Sequence, residues 1–367
     1  KFKMPQVWRS NLNVDIQLPY DFMLSVGAMY TRDIYNVAQI NMNEAEPTGV
    51  YNEQPDRIYW ASKKYEYNDY TNGKNVVVKL SNGEDKGYQY SFNAILTKKY
   101  DFGFTGSIGY TYTMAKDLTA NPGSAPNSAW QNNVAVNSLN DPGVSYSLFS
   151  TPHRIIANAS YEINYAKCLK TTFSLFYSGY HTGRYSYTYY NDMNGDGNYS
   201  DLIYVPNSQD EMTFVDITDK SGAITYSAVD QAKDFWDFVN NDSYLKDRKG
   251  KYVERNGSLT PWINRFDFKI AQDFYATLGG RKYGIQVSLD MLNVGNMINS
   301  KWGAYQSCGL KSYDNVQLLK TASKVGEPLT YQINANSREA FKERSSWQYT
   351  NTIGSAWSMQ LGVKVTF

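Results

Sequence analysis

The C-terminal stretch Trp357-Ser358-Met359-Gln360-Leu361-Gly362-Val363-Lys364-Val365-Thr366-Phe367 alternates between two kinds of side chain. Trp357, Met359, Leu361, Val363, Val365 and Phe367 are large and apolar, and the residues between them are small or polar. Successive side chains of a strand point to opposite faces, so the pattern predicts a strand with one apolar face. Its eleven residues match the roughly 9–11 that cross a bilayer at a tilt. An aromatic sits at each end, where membrane interfaces favour amphipathic rings. In lipid, only a closed barrel lets every backbone group of a strand find a partner.

The same code recurs upstream. Phe102, Phe104, Gly106, Ile108, Tyr110 and Tyr112 alternate with Gly103, Thr105, Ser107, Gly109 and Thr111. Ile155, Ala157, Ala159, Tyr161, Ile163 and Tyr165 alternate with Ile156, Asn158, Ser160, Glu162 and Asn164, and Tyr283, Ile285, Val287, Leu289 and Met291 with Gly284, Gln286, Ser288 and Asp290. The apolar faces carry no charge. The opposite faces are mostly Ser, Thr, Gln, Asn and Gly, with Ile156 their one large apolar residue. A water-soluble sandwich would more often display Lys and Glu outside, whereas a water-filled or plugged lumen accepts small uncharged groups. The reading is therefore lipid on the apolar side and water on the other.

Composition is consistent with this and excludes several classes. With 367 residues and a net charge of +1, there is no basic field for nucleic acid and no acidic balance for a cationic partner. The 33 Tyr, 16 Phe and 8 Trp suit strands and aromatic girdles. A mean hydropathy of −0.56 resembles a soluble protein, but half of each barrel strand and all its loops are polar. No run of apolar residues is long enough for a membrane-spanning helix. Lys1 to Pro5 is not a secretory signal, so an outer-membrane destination implies a leader removed before Lys1 or a larger parent chain. Cys168 and Cys308 are expected on opposite sides of the membrane, too far apart to pair.

Nine strands are predicted, near 11–18, 22–35, 88–99, 102–113, 153–164, 171–189, 262–274, 283–293 and 356–367. Short reversals near 19–21, 98–101, 165–170 and 276–281 alternate with long connections over 36–87, 116–152, 190–260 and 296–354. Outer-membrane barrels have this asymmetry, with short periplasmic turns and long extracellular loops. Bacterial single-chain barrels have an even strand count, so an odd count implies that residues 1–367 form the C-terminal part of one larger all-β, antiparallel transmembrane barrel domain.

A family resemblance enters here. Thr151-Pro152-His153-Arg154, Phe173-Ser174-Leu175-Phe176-Tyr177, Gly183-Arg184-Tyr185-Ser186-Tyr187 and Asp192-Met193-Asn194-Gly195-Asp196-Gly197 through Asp201-Leu202-Ile203-Tyr204-Val205-Pro206 resemble the distal barrel of Bacteroidota TonB-dependent transporters, the Oar-like branch above all. Leu292-Asn293-Val294-Gly295-Asn296-Met297-Ile298-Asn299-Ser300-Lys301-Trp302-Gly303 is similar to a segment of the starch-utilisation-type transporters. Phe367 looks like the terminal aromatic read by the barrel-assembly machinery. The resemblance implies a barrel of about 22 strands around an N-terminal plug that contacts the TonB complex, with these nine strands the last of them. It also implies active transport of a large solute (oligosaccharide, peptide or protein) across the cell outer membrane, and a surface lipoprotein as a candidate partner. A surface-adhesion or structural barrel and a passive porin are the alternatives.

Asp192, Asn194, Asp196, Gly197 and Asn198 match the opening of an EF-type calcium loop, with oxygen donors at positions 1, 3 and 5 and glycine at 6. Position 12 is Ile203 rather than a bidentate Glu, so Asp201 is the candidate replacement; an Asx-rich turn is the plainer reading. A bound Ca²⁺ would stiffen an extracellular loop. Trp236, Trp302 and Trp347 fall in long connections and are candidate solute contacts, or loop-packing and girdle residues. Asp234 to Phe238 fits a short amphipathic turn, and the mixed charges of 246–255 read as a solvated loop. Arg154, Glu162, Arg265, Asp267, Lys269 and Asp290 are expected on the lumen side as ion-pair ladders. Enzyme readings are poor: His153 and His181 have no second ligand at metal spacing, and neither a Gly-x-Ser-x-Gly elbow nor a phosphate-binding loop is present.

Overall fold

The computed structural model describes residues 1–67, 75–121, 123–308, 311–312, 315–334, 341, 347–350 and 352–367. Nine long strands dominate it: β1 (Gln6–Leu18), β2 (Phe22–Tyr35), β3 (Tyr88–Lys99), β4 (Phe104–Asp117), β5 (His153–Tyr165), β6 (Leu169–His181), β7 (Trp262–Leu278), β8 (Arg281–Leu292) and β9 (Ser358–Thr366). Each pairs antiparallel with the next in chain order, so they form one meander. The short Ser145–Tyr146 strand adds to the end of β4. Among the described residues β1 and β9 pair on one side only, so the sheet is open at both edges.

Register carries the alternation from strand to strand. Phe104, Tyr161, Phe173, Ile270, Leu289 and Leu361 form one row across six strands. The next row, on the other face, is Thr105, Ser160, Ser174, Lys269, Asp290 and Gln360. A slip of one residue anywhere would exchange the two faces. Short turns help fix the register. Leu278 pairs with Arg281, leaving Gly279 and Gly280 at φ of +56° and +80°, the positive values a two-residue hairpin requires. At Gly103 (φ +98°) a Cβ would stand 2.3 Å from the Glu162 carbonyl oxygen, so a side chain is excluded.

Aromatic rings gather at both ends of the apolar face. At the short-turn end Phe102 lies 5.1 Å from Tyr100, 6.3 Å from Phe104 and 6.2 Å from Tyr161, between ring centres. At the other end are Trp8 with Tyr30 at 6.0 Å, Tyr90 with Tyr112 at 6.2 Å and His181 with Trp262 at 5.0 Å. Between them the face is apolar, mostly aliphatic, and solvent-accessible, with Leu361 73 % and Val363 67 % exposed.

The largest buried core lies outside this sheet. All four long connections collapse together at one end and bury Tyr51, Val134, Tyr187, Tyr189, Ile203, Phe235, Leu245, Val316, Leu318 and Ile333, among others. A second sheet runs through this cap: Arg184–Tyr189 pairs in parallel with Asn315–Thr321, which pairs antiparallel with Tyr331–Ile333. The helix Ala228–Asn241 closes over it. Ser227 caps that helix by accepting from the Asp230 amide, and Gln231, Phe235 and Phe238 at i, i+4 and i+7 give it one buried stripe.

Three expectations change. The strand expected over 171–189 breaks at Thr182-Gly183, where the Thr260 hydroxyl accepts from the Gly183 amide at 3.0 Å. Arg184–Tyr189, buried at every position, then crosses into the second sheet. The turn expected at Asp234–Phe238 is part of the longer helix. Segment 246–255 is not simply solvated: Arg255 is 3 % exposed, donates to the Leu118 carbonyl and Asn133 Oδ1, and lies 3.3 Å from the Asp117 carboxylate. Pinning the cap to β4 outweighs hydrating that charge. Cys168 is exposed in a short turn, Cys308 is buried in the cap, and no disulfide joins the two.

Candidate functional site

The cap holds the chemistry-bearing residues. The Asp192–Asp201 loop curls tightly around its own carboxylates. Asp192 accepts from the amides of Gly195 at 2.8 Å and Gly197 at 2.9 Å, Asn194 Oδ1 from Asp196 at 3.0 Å, and Asp196 Oδ1 from Asn198 at 2.8 Å. Asp201 Oδ2 accepts from Met193 at 3.0 Å. Gly195 and Gly197 have φ of +83° and +97°, and a Cβ on Gly195 would stand 2.6 Å from the Trp60 carbonyl oxygen. The glycines are there because the backbone turns where no side chain fits.

Burial and mutual repulsion set the electrostatics. Burial drives the Asp196 carboxyl well above its usual range, and the Asp201 and Asp192 carboxylates push it the same way. Burial also raises Asp201, to about 7, although Arg57 opposes the shift. Asp192 is raised by burial against the pull of the Gly197 and Gly195 amides. Arg57 is fully buried and stands 3.6 Å from Asp201; it donates to the Val136 and Leu202 carbonyls and lies 4.7 Å from the Tyr252 ring centre. Glu44 is held by Ser138 and Asn140 and contributes further negative charge to Asp196.

The structure thus brings together Asp192, Asn194, Asp196, Asn198 and Asp201. Among the described residues no three carboxylate, histidine or cysteine groups already stand in metal-holding geometry. Several of these oxygens are committed to the loop's own amides, and Asp201 faces Arg57. A hard cation fits the donor chemistry, and relief of repulsion among three carboxylates is what it would supply. Arg57 and Glu44 were not legible as partners of this loop; both lie in the connection 36–87, with no spacing that ties either to Asp201.

Two clefts open in the cap, the first of them beside this loop. One, of about 750 Å³, is lined by Gln131, Asn132, Tyr190, Asn191, Gly197, Asn198, Tyr199, Ser200, Asn315 and Gln317, with no charged side chain among the described residues. Its Tyr199 is 66 % exposed. The other, of about 770 Å³, is charged, with Asp85, Asp141, Arg248, Lys251, Glu254 and Arg255 around Tyr204 and Tyr252.

The three tryptophans are not gathered into one place. Trp236 and Trp347 pack against the cap core, Trp236 under the Lys249 ammonium at 4.4 Å and Trp347 5.1 Å from the Tyr185 ring. Trp302 lines a separate crevice beside β7. Phe367 projects freely beyond β9. On the polar face of the sheet, Lys269 pairs with Asp290 at 2.8 Å, Arg265 with Asp267 at 3.3 Å, and Lys170 with Glu162 at 3.6 Å and Asp273 at 3.7 Å. His153 meets the Tyr110 hydroxyl at 2.7 Å and His181 the Thr260 carbonyl at 2.6 Å.

No family model matches the chain, and comparison with curated proteins and with solved structures gives no match. The all-β antiparallel architecture, in which no described helix is long and apolar enough to cross a membrane, is what the site sits on.

Proposed function

We propose that this chain is the distal portion of an outer-membrane barrel that moves a large solute by TonB-dependent active transport. The observation that carries the reading is the two-faced sheet: an apolar face kept in register across nine strands, bounded by aromatic rings at both ends, opposite a polar, ion-paired face. Apolar side chains this exposed on a folded sheet need a non-aqueous neighbour. The unpaired edges of β1 and β9 need further strands, because an open edge is not tolerated in lipid.

On this reading the polar face lines the translocation path and the cap is the solute-receiving surface outside the cell. Its cleft of about 750 Å³, whose described lining is amides, a serine, a glycine and two tyrosines, suits a neutral polar solute such as an oligosaccharide or a peptide backbone. The chain is a carrier rather than an enzyme. Contact with the TonB complex falls to a plug domain, membrane insertion to the barrel-assembly machinery through Phe367, and capture of solute in part to a surface lipoprotein. The Asp192–Asp201 loop takes Ca²⁺ as a stiffening element, with Asp192, Asp196 and Asp201 as carboxylate donors and Asn194 and Asn198 as neutral ones.

Uptake of solute by cells carrying the full-length protein tests the transport reading. It should stop when TonB is deleted; uptake that continues unchanged would point to a passive porin. Loss of cell-surface contact on deleting the cap, with uptake intact, would favour the adhesion alternative, for which the compact packing of the loops is the relevant feature.

A further inference from the structure

β7 begins at Trp262, but its neighbour β8 ends at Leu292, and the pairing stops at Phe268 with Met291. The first residues of β7 therefore lack a long-strand partner on that side. The connection after β8 fills only part of the gap, leaving a crevice of about 540 Å³. Trp262, Asn264 and Phe266 form one wall, and Lys301, Trp302 and Tyr349 belong to the other. Register places Phe266 opposite Tyr177 and Asn264 opposite Gly179, in the same alternation as Phe268, Ile270 and the aliphatic face. The crevice thus continues the apolar face beyond the strand ends, at the level of the aromatic rings of the long-loop end.

Its chemistry is amphiphilic. Trp302 is 51 % exposed. Asn264 Oδ1 accepts from Trp262 Nε1 at 2.9 Å and from the Tyr177 hydroxyl at 2.8 Å, which fixes both rings at the rim. Lys301 is the one charged residue among the described residues of the lining. Among the described residues it has no carboxylate partner, and its ammonium lies 5.7 Å from the Tyr349 ring centre. An unneutralised cation above an apolar, aromatic trough fits a molecule with an anionic head and a hydrocarbon tail.

We infer that this crevice binds a phosphate-bearing lipid, its phosphate on Lys301 and an acyl chain along Phe266 toward Phe268. The inference rests on the membrane reading and adds a specific lipid site to it. The charge of Lys301 and continuity with the apolar face select this occupant over a soluble partner.

The full-length protein, purified in dodecyl maltoside, is mixed with phosphatidylglycerol or with diacylglycerol bearing the same acyl chains, and retained lipid is counted by native mass spectrometry. Wild type should retain phosphatidylglycerol preferentially. Lys301→Gln should weaken that retention about tenfold, the scale of one hydrogen bond to a charged group, without changing diacylglycerol. Trp302→Ala should lower retention of both. Equal retention of phosphatidylglycerol by wild type and Lys301→Gln, or no preference over diacylglycerol, would overturn the site. Flotation with phospholipid vesicles separates the two levels: protein that floats yet shows no Lys301 dependence refutes the lipid site alone, and protein that does not float refutes the membrane reading.

Discussion

Leu361 and Gln360 are neighbours on β9 that face opposite ways, and arginine at each reports what lies on that side. Leu361 is 73 % exposed, and its cross-strand partner on β8 is Leu289. An arginine at 361 therefore meets little protein, and its cost measures the surrounding medium. Facing hydrocarbon near the middle of the strand, it should cost about 2–4 kcal/mol, a fall of about 30- to 900-fold in the folded-to-unfolded ratio. Facing water, it should stay within about 0.5 kcal/mol. Gln360 pairs with Asp290 on the polar face, so Gln360→Arg should be neutral or slightly stabilising under the lumen reading. Equilibrium unfolding of the full-length protein from phospholipid vesicles in guanidinium gives both numbers. Equal, small effects at the two positions would refute the assignment of lipid to the Leu361 side.

Other outcomes follow from the cap. Burial raises Asp201 to about 7, above its unfolded value of about 4. Between those values the folded loop holds a proton that the unfolded chain has released, so in chelator the cap should lose stability as pH rises from 4 through 7. Limited proteolysis of the cap against pH checks this, and added Ca²⁺ should flatten the trend. Asp196→Asn removes a buried carboxylate next to two others, so it should stabilise the cap in chelator and abolish any response to Ca²⁺; a destabilised variant with an intact Ca²⁺ response would contradict the loop's assignment. Arg57→Met strands Asp201 without its cation and should cost about 3–5 kcal/mol at pH 8, less at pH 5 where Asp201 is protonated. Cap proteolysis should report that loss while the β-sheet signal in circular dichroism is retained.

The sheet was legible because each strand keeps two chemically different faces. Alternation along 102–113, 153–164, 283–293 and 356–367 marks elements that the structure places within a few residues. The overshoot at 171–189 has a physical cause: Arg184-Tyr185-Ser186-Tyr187-Thr188-Tyr189 is itself a strand, and β propensity does not reveal that the chain changes sheets at Thr182-Gly183. The cap was largely hidden. A strand buried on both faces shows no alternation, so Val316 and Leu318 fall within the long connection 296–354, and nothing along 184–189 sets Tyr187 and Tyr189 apart as core of a second sheet. Arg248 and Arg255 looked like solvated charges because their partners, Glu254 excepted, lie in other connections or on backbone carbonyls. The acidic loop was visible because its ligand-type residues are close in sequence, whereas Arg57 and Glu44 reach it only through the fold.

Single cysteines placed in turn from 357 to 367 of the full-length protein, spin-labelled and reconstituted in vesicles, read the central claim residue by residue. A period of two is expected: oxygen, which concentrates in hydrocarbon, should relax labels at 359, 361, 363 and 365, and a water-soluble nickel chelate should relax those at 360, 362 and 364. Equal access of the nickel chelate to both sets would contradict it.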